Sequence, residues 1–296
     1  MRATILLLLV SLNVVAAPLT VQVRSAKDTF LVYEAIPVTV SIHNYSSRSL
    51  QLEESNQESW LDFVVLDENN GIVHALGHPV FGQPVLIPPG ETVSQTIDVL
   101  PLYELRERGA YRIQAVVKSP LGNVESAPLR VWLTNGRELW TQEVGLPTAE
   151  GTPEQFRTYT LLAYRGPHDD SLFVGVRDDA RQVVYSLVSL GSFLSTVAPQ
   201  PRADRAGNLH VLYQNGPRSF GYVKVDPSAK ALERAAYSDF ASSPTLTVND
   251  GEVSVTGGEQ TYPKTERIMT DEELNPPPPP APKPKRHWWW PFGPRA

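Results

Sequence analysis

Between residues 19 and 134, apolar positions recur at every second residue in short runs. Val38, Val40 and Ile42 alternate with polar neighbours in "IPVTVSIHN". Leu61, Phe63 and Val65 do so in "LDFVVLD", Tyr111, Ile113, Ala115 and Val117 in "AYRIQAVVK", and Leu129, Val131 and Leu133 in "LRVWL". Successive side chains on a strand point to opposite faces, so each run predicts a strand buried on one side. Turn-forming residues separate the runs: "DENNG" at Asp67–Gly71, "PPGE" at Pro88–Glu91 and "SPLGN" at Ser119–Asn123. Short strands with regularly spaced turns predict an antiparallel sandwich or barrel.

The second half of the chain has a different rhythm. Gly136, Gly145, Pro147, Gly151 and Pro153 interrupt any periodicity, which predicts a linker over 136–156. From 157 to 262 three segments align, each a strand, a tight turn and a second strand. They are "SLFVGVRDDARQVVYSLVSL", "NLHVLYQNGPRSFGYVKVD" and "TLTVNDGEVSVTGG". Their anchoring leucines, Leu172, Leu209 and Leu246, stand 37 residues apart, twice over. That period is close to the ~40 residues of a β-propeller blade. Residues 157–262 suffice for three blades at most, and closed propellers generally have four or more. A plain antiparallel meander accounts for the same spacing, so both readings stay open.

"GAYRIQAVVKSPLGNVESAPLRVWL" (109–133) resembles the last hairpin of an immunoglobulin-like sandwich, and "EAIPVTVSIHNYS" (34–46) resembles the second strand of bacterial extracytoplasmic sandwich domains. "DRAGNLHVLY" (204–213) resembles the inner-strand start of propeller blades. The resemblances imply an architecture and no activity. The disulfide of antibody domains is impossible here, because the chain has no cysteine. The expected fold is therefore all-β: an immunoglobulin-like antiparallel β-sandwich over 17–135, then an antiparallel β-meander or propeller-like repeat domain over 157–262.

Both ends differ from this body. Arg2, the apolar run Ile5–Leu12 and the small residues Val14–Ala17 read as an export signal over 1–16, with cleavage after Ala16 or Ala17. The apolar run is shorter than the ~20 residues a membrane-spanning helix needs. Export without cysteine fits a bacterial envelope, periplasmic or extracellular, since larger eukaryotic secreted chains more often carry disulfides. Residues 263–296 read as a disordered, proline-rich tail. It contains "NPPPPPAPKPKRHWWWPFGPRA", in which a stiff polyproline spacer precedes a basic run and an aromatic cluster. From Pro276 onward the tail carries four positive charges and no acid; taking these and the charge of Arg2 from the formal net charge of −6 leaves −11 on the rest of the chain. An acidic body argues against nucleic-acid binding.

Catalytic chemistry leaves little trace. His74 and His78 have the spacing of helical metal ligands, but Gly77 and Pro79 break any helix, and four residues of strand span about 13 Å. Asp169–Asp170, Asp178–Asp179 and Glu53–Glu54 are adjacent pairs whose side chains diverge on a strand. No Gly-x-Ser-x-Gly elbow or phosphate-binding glycine loop is present. No catalytic residue, metal ligand or cofactor is assigned. The binding candidates lie in the tail: Lys283, Lys285, Arg286, Trp288, Trp289, Trp290 and Phe292. Tryptophan favours the membrane–water interface, stacks on glycans and fills protein grooves, and cations add attraction to anionic lipid. The expectation is an exported, non-catalytic binding or scaffold protein whose tail touches a membrane surface, a glycan or a partner protein. Two alternatives stand beside it. One is a cell-wall or polysaccharide enzyme using His168, Asp169 or Asp178. The other is a protease-inhibitor-like sandwich presenting Gly77–Pro89.

Overall fold

The computed structural model describes residues 18–54, 58–147, 154–166 and 170–261. The segment read as an export signal and the tail with all seven of its candidate residues lie outside these, as do His168 and Asp169.

The first unit holds ten strands: β1 (Leu19–Arg24), β2 (Thr29–Leu31), β3 (Pro37–Asn44), β4 (Leu50–Leu52), β5 (Leu61–Leu66), β6 (Val85–Ile87), β7 (Thr92–Asp98), β8 (Gly109–Ser119), β9 (Gly122–Glu125) and β10 (Leu129–Thr134). One sheet runs β1-β3-β7 and a second runs β2-β10-β8-β5, with β9 also on β8. The pairings are antiparallel except β2–β10, which is parallel. The alternation read from the sequence sets which face turns inward. Val38, Val40 and Ile42 of β3 meet Leu61, Phe63 and Val65 of β5 and Ile113, Ala115 and Val117 of β8 in one core. Each buried valine, leucine, isoleucine or phenylalanine among them stabilises by about 1.5–3 kcal/mol before entropy is counted. The intervening residues of β3 face outward. Thr39, Ser41 and His43 hydrogen-bond across to Thr96, Ser94 and Thr92, each at 2.8 Å. The turns fall where expected. Asp67 accepts the N–H groups of Asn69 and Gly71 through one carboxylate oxygen, at 2.8 and 2.7 Å, and Asn70 takes a positive φ of 64°.

The second unit holds β11 (Arg137–Leu146), β12 (Gln155–Arg165), β13 (Asp170–Asp178), β14 (Val183–Val184), β15 (Val188–Ser192), β16 (Gln200–Ala203), β17 (Leu209–Gly216), β18 (Ser219–Val225), β19 (Ala231–Ser238), β20 (Thr245–Asn249), β21 (Glu252–Thr256) and β22 (Glu259–Gln260). Its sheets run β11-β12-β13-β14 with β15 also on β13, β16-β17-β18-β19-β22, and β20-β21. The middle sheet is covered on both faces. Leu209, Val211, Tyr213, Val223 and Val225 pack with Tyr159, Leu161, Leu172 and Val174 of the first sheet. Leu212, Phe220 and Tyr222 pack with Leu246 of the β20–β21 hairpin. That is why "LHVLYQ" is buried at six successive positions instead of alternating.

This arrangement corrects the propeller-like reading. The sheets stack as layers and do not close on themselves. The three leucines are all buried, but they occupy unlike places: Leu172 in the third strand of its sheet, Leu209 in the second strand of its own, and Leu246 in the first strand of a two-stranded hairpin. Equal spacing along the chain therefore reflects similar hairpin lengths and no repeated position. The stretch read as a linker, 136–156, contains the ten-residue β11 and the start of β12. Its glycines permit close approaches. A Cβ on Gly136 would stand 3.0 Å from Leu162 and 3.1 Å from Leu31, so this residue seats one unit against the other.

Candidate functional site

Where the two units meet, the Tyr33 carbonyl accepts the Leu187 N–H at 2.8 Å, and Glu34 bridges to Leu187. Lys27 pairs with Glu34 at 2.5 Å and lies 4.7 Å from the Phe30 ring and 5.7 Å from the Phe173 ring. Beside this junction opens a cleft of about 420 Å³. Leu31, Leu162, Val176 and Leu187 supply its apolar lining, and Tyr33, Arg106, Glu138, Thr158, Thr160 and Arg177 its polar lining. Tyr33 has a φ of 69°, a conformation costly for a bulky side chain and concentrated at sites where surrounding structure enforces it. Thr158 donates to Asp179 at 2.6 Å, and Arg177 pairs with the same carboxylate. The Thr158 hydroxyl, then Arg177, hold Asp179 below the usual carboxylate range, so it stays anionic. Clefts between domains with an apolar floor and a few convergent polar groups are the usual form of small-ligand sites. This one offers hydroxyls and a charged rim.

The groups best suited to proton transfer are engaged elsewhere. Asp178, an alternative catalytic candidate from the sequence, is buried against Arg157 at 2.9 Å and accepts the Arg181 N–H at 3.0 Å. Arg157 also donates to the Pro227 and Phe156 carbonyls at 3.2 and 2.8 Å. His210 sits in the core. Its Nε2 donates to Asp204 at 3.1 Å, which leaves Nδ1 to accept from the Tyr222 hydroxyl at 2.8 Å. Asp204 also receives Lys224 at 3.2 Å and Asn208 at 2.8 Å. The acid–imidazole–hydroxyl order suggests a catalytic relay. However, His210 and Tyr222 are 3 % and 5 % exposed, so no substrate reaches them. The network ties the 204–208 turn to β17 and β18. The sequence reading missed it, although a histidine inside the apolar run "NLHVLY", six residues after an aspartate, was a signal for it.

Burial lowers the basicity of His210, with the Asp204 contact opposing it in part. Hydrogen bonds from Asn208, His210 and Lys224 outweigh desolvation and depress Asp204 strongly. Both shifts have the same consequence, because in acid the unfolded chain binds more protons than the folded one. Stability is therefore full above the ordinary histidine range near pH 6.5 and falls as the pH drops through it, then falls again in the carboxylate range. Thermal unfolding from pH 8 to 5 should show Tm decreasing towards acid, and His210→Gln should flatten the segment between pH 7 and 5. A Tm independent of pH in that window would refute this.

The stretch Gly77–Pro89 is not a free loop along its length. The N–H groups of Leu76 and Gly77 both reach the Leu102 carbonyl, at 2.8 and 3.3 Å, and Val85–Ile87 pairs with β4. Ile72, Leu76 and Val80 are exposed on the surface there. Among the described residues, no group of three or more His, Asp or Glu side chains is placed to hold a metal ion.

No protein-family model matches the chain, and no curated protein matches it. Among solved structures, the sporulation control protein Spo0M from Bacillus subtilis aligns over 59 % of this chain and 89 % of its own, at 12 % identity and a TM-score of 0.29. That score carries no argument about fold or function. Neither a family model nor a curated protein links the chain to immunoglobulin-like or propeller proteins, so the resemblance read from residues 34–46, 109–133 and 204–213 is not upheld. What stands is an all-β chain built of several separate sheets.

Proposed function

We propose that the chain is an exported, non-catalytic binding or scaffold protein of the bacterial envelope, with the C-terminal Lys283–Phe292 segment as its surface or partner contact. The observation that carries the non-catalytic part is the engagement of Asp178, Asp204 and His210 in buried networks, while the junction cleft holds hydroxyls and a charged rim. The localisation rests on the N-terminal sequence, and the contact on the spacer–basic–aromatic order of the tail. Fractionation of cells producing either the full chain or a chain stopped at Asn275 tests the reading. The full chain should sediment with the envelope and be partly released by salt, because three cations precede the tryptophans. The shortened chain should remain soluble. Equal solubility of the two would remove the tail as a contact.

A further inference from the structure

An open sheet edge is a template for another strand, and proteins guard such edges by shortness, charge, proline, bulges or a cover. Most edges here are guarded. On β5, the Phe63 carbonyl accepts the Tyr103 hydroxyl and the Val65 carbonyl accepts the Val73 N–H at 2.9 Å. β2, β16 and β22 are three, four and two residues long. β11 carries Arg137, Glu138 and Glu143 and has a register shift between Glu138 and Trp140. β1 ends in Arg24 and lies close to β8 and β9 of the facing sheet.

β7 is the least guarded, with a charge only at its last residue, Asp98. It is seven residues, TVSQTID, without proline, lysine, arginine or a register shift. Its direction of bonding follows from its ends. The Asn44 N–H donates to Glu91, and the Val99 N–H donates to Ile36. With the observed register, Val93, Gln95 and Ile97 therefore bond towards β3, and Thr92, Ser94 and Thr96 turn their N–H and C=O groups away. Among the described residues, β7 pairs with β3 alone. Its side chains suit a neighbour too. Val93 and Ile97 are half-buried against the core, and Thr92, Ser94 and Thr96 form the outer hydroxyl row.

We propose that β7 is the docking edge for a second copy of this chain, paired antiparallel about a two-fold axis at Gln95. This register sets Ser94 opposite the partner copy's Thr96 and Thr92 opposite its Asp98, so each outward N–H and C=O between them finds a counterpart. Val93 then faces Ile97 in the close, non-hydrogen-bonded positions, and Gln95 faces itself. No like charges meet, since Asp98, the one charged residue of the strand, lies opposite a threonine. The two three-stranded sheets become one sheet of six strands. A different protein would have to supply an extended strand of matching alternation with no acid opposite Asp98; this chain's own β7 already meets that description.

Sedimentation analysis of the full chain over a concentration series tests the proposal, with a reversible monomer–dimer equilibrium expected. Ser94→Pro removes an outward N–H without touching the β3 pairing, a position where an edge strand tolerates proline. It should weaken the dimer by roughly 30-fold, since the two-fold axis doubles every lost bond. Gln95→Lys and Gln95→Glu each oppose like charges at the axis and should be monomeric, whereas their equimolar mixture should dimerise. A chain that is monomeric throughout, a dimer unaffected by Ser94→Pro, as tail-mediated association would be, or a mixture that stays monomeric overturns the proposal. Circular dichroism checks that Ser94→Pro is folded, and the charge pair decides the matter if it is not.

Discussion

Replacing Arg157 with leucine should destabilise the second unit by about 3 kcal/mol, the low end of the effect of breaking a buried ion pair, because the exposed Arg181 guanidinium, 3.8 Å from the same Asp178 oxygen, remains as a weaker partner. Asp178 is 3 % exposed and Arg157 7 % exposed, so water cannot take the missing partner's place. The guanidinium also lies 5.7 Å from the Tyr185 ring, and its bonds to Pro227 and Phe156 disappear with it. The double replacement Arg157→Leu/Asp178→Leu should recover much of the loss, because an apolar pair of suitable volume has no buried charge to solvate. Recovery should stop short by about 1 kcal/mol, since Asp178 also accepts the Arg181 N–H in the 178–181 turn. Denaturant unfolding followed by circular dichroism measures all three chains. A loss below about 1 kcal/mol for Arg157→Leu would mean that the pair is solvated, as surface pairs are.

Gly221→Ala is expected to have the next largest effect. Gly221 lies directly across from Tyr213 in the β17–β18 register, and the tyrosine ring covers it. An added Cβ would stand 2.5 Å from Tyr213 Cζ and 2.6 Å from its hydroxyl oxygen. The ring cannot slide away freely, because its hydroxyl donates to the Leu190 carbonyl and the side chain is packed in the core between sheets. Overpacking of this kind costs about 1–3 kcal/mol, and a lost hydrogen bond adds about 1 kcal/mol. A loss of about 2–3 kcal/mol is expected in denaturant unfolding. In a Tyr213→Ala background the same glycine replacement should cost much less, because the obstructing ring is gone. Equal costs in the two backgrounds would refute the steric account.

Pairing through β7 bears on the proposed role of the tail. A dimer carries two Lys283–Phe292 segments, so the second contact with a surface follows the first at a high effective concentration. Weak single-tail binding then becomes firm attachment without any new contact. Ser94→Pro should therefore reduce envelope association while leaving the tail sequence intact, and deletion after Asn275 should abolish it while leaving the dimer.

Local pattern was enough to locate β3, β5, β8 and β10 and their inward faces, because burial on one side of a strand writes period two directly into the residues. It was also enough to place the turns at Asp67–Gly71 and Ser119–Asn123, whose glycines and short polar side chains make their bonds within a few residues. The composition of the tail, with its prolines, cations and tryptophans, is likewise a property of the sequence alone. The arrangement of the sheets is not. Leu172, Leu209 and Leu246 look equivalent at a spacing of 37, but which neighbour each strand accepts depends on contacts far along the chain. "LHVLYQ" lost its alternation because layers cover both its faces, something only the stacking of three sheets decides. The partners Arg157 and Asp178 come from different strands, and so do His210 and Tyr222; each residue alone reads as an ordinary polar side chain. Whether a carboxylate or a histidine becomes a reactive group or a fastening depends on whether water and a ligand can reach it. Burial settles that in the folded chain, after the strands have paired.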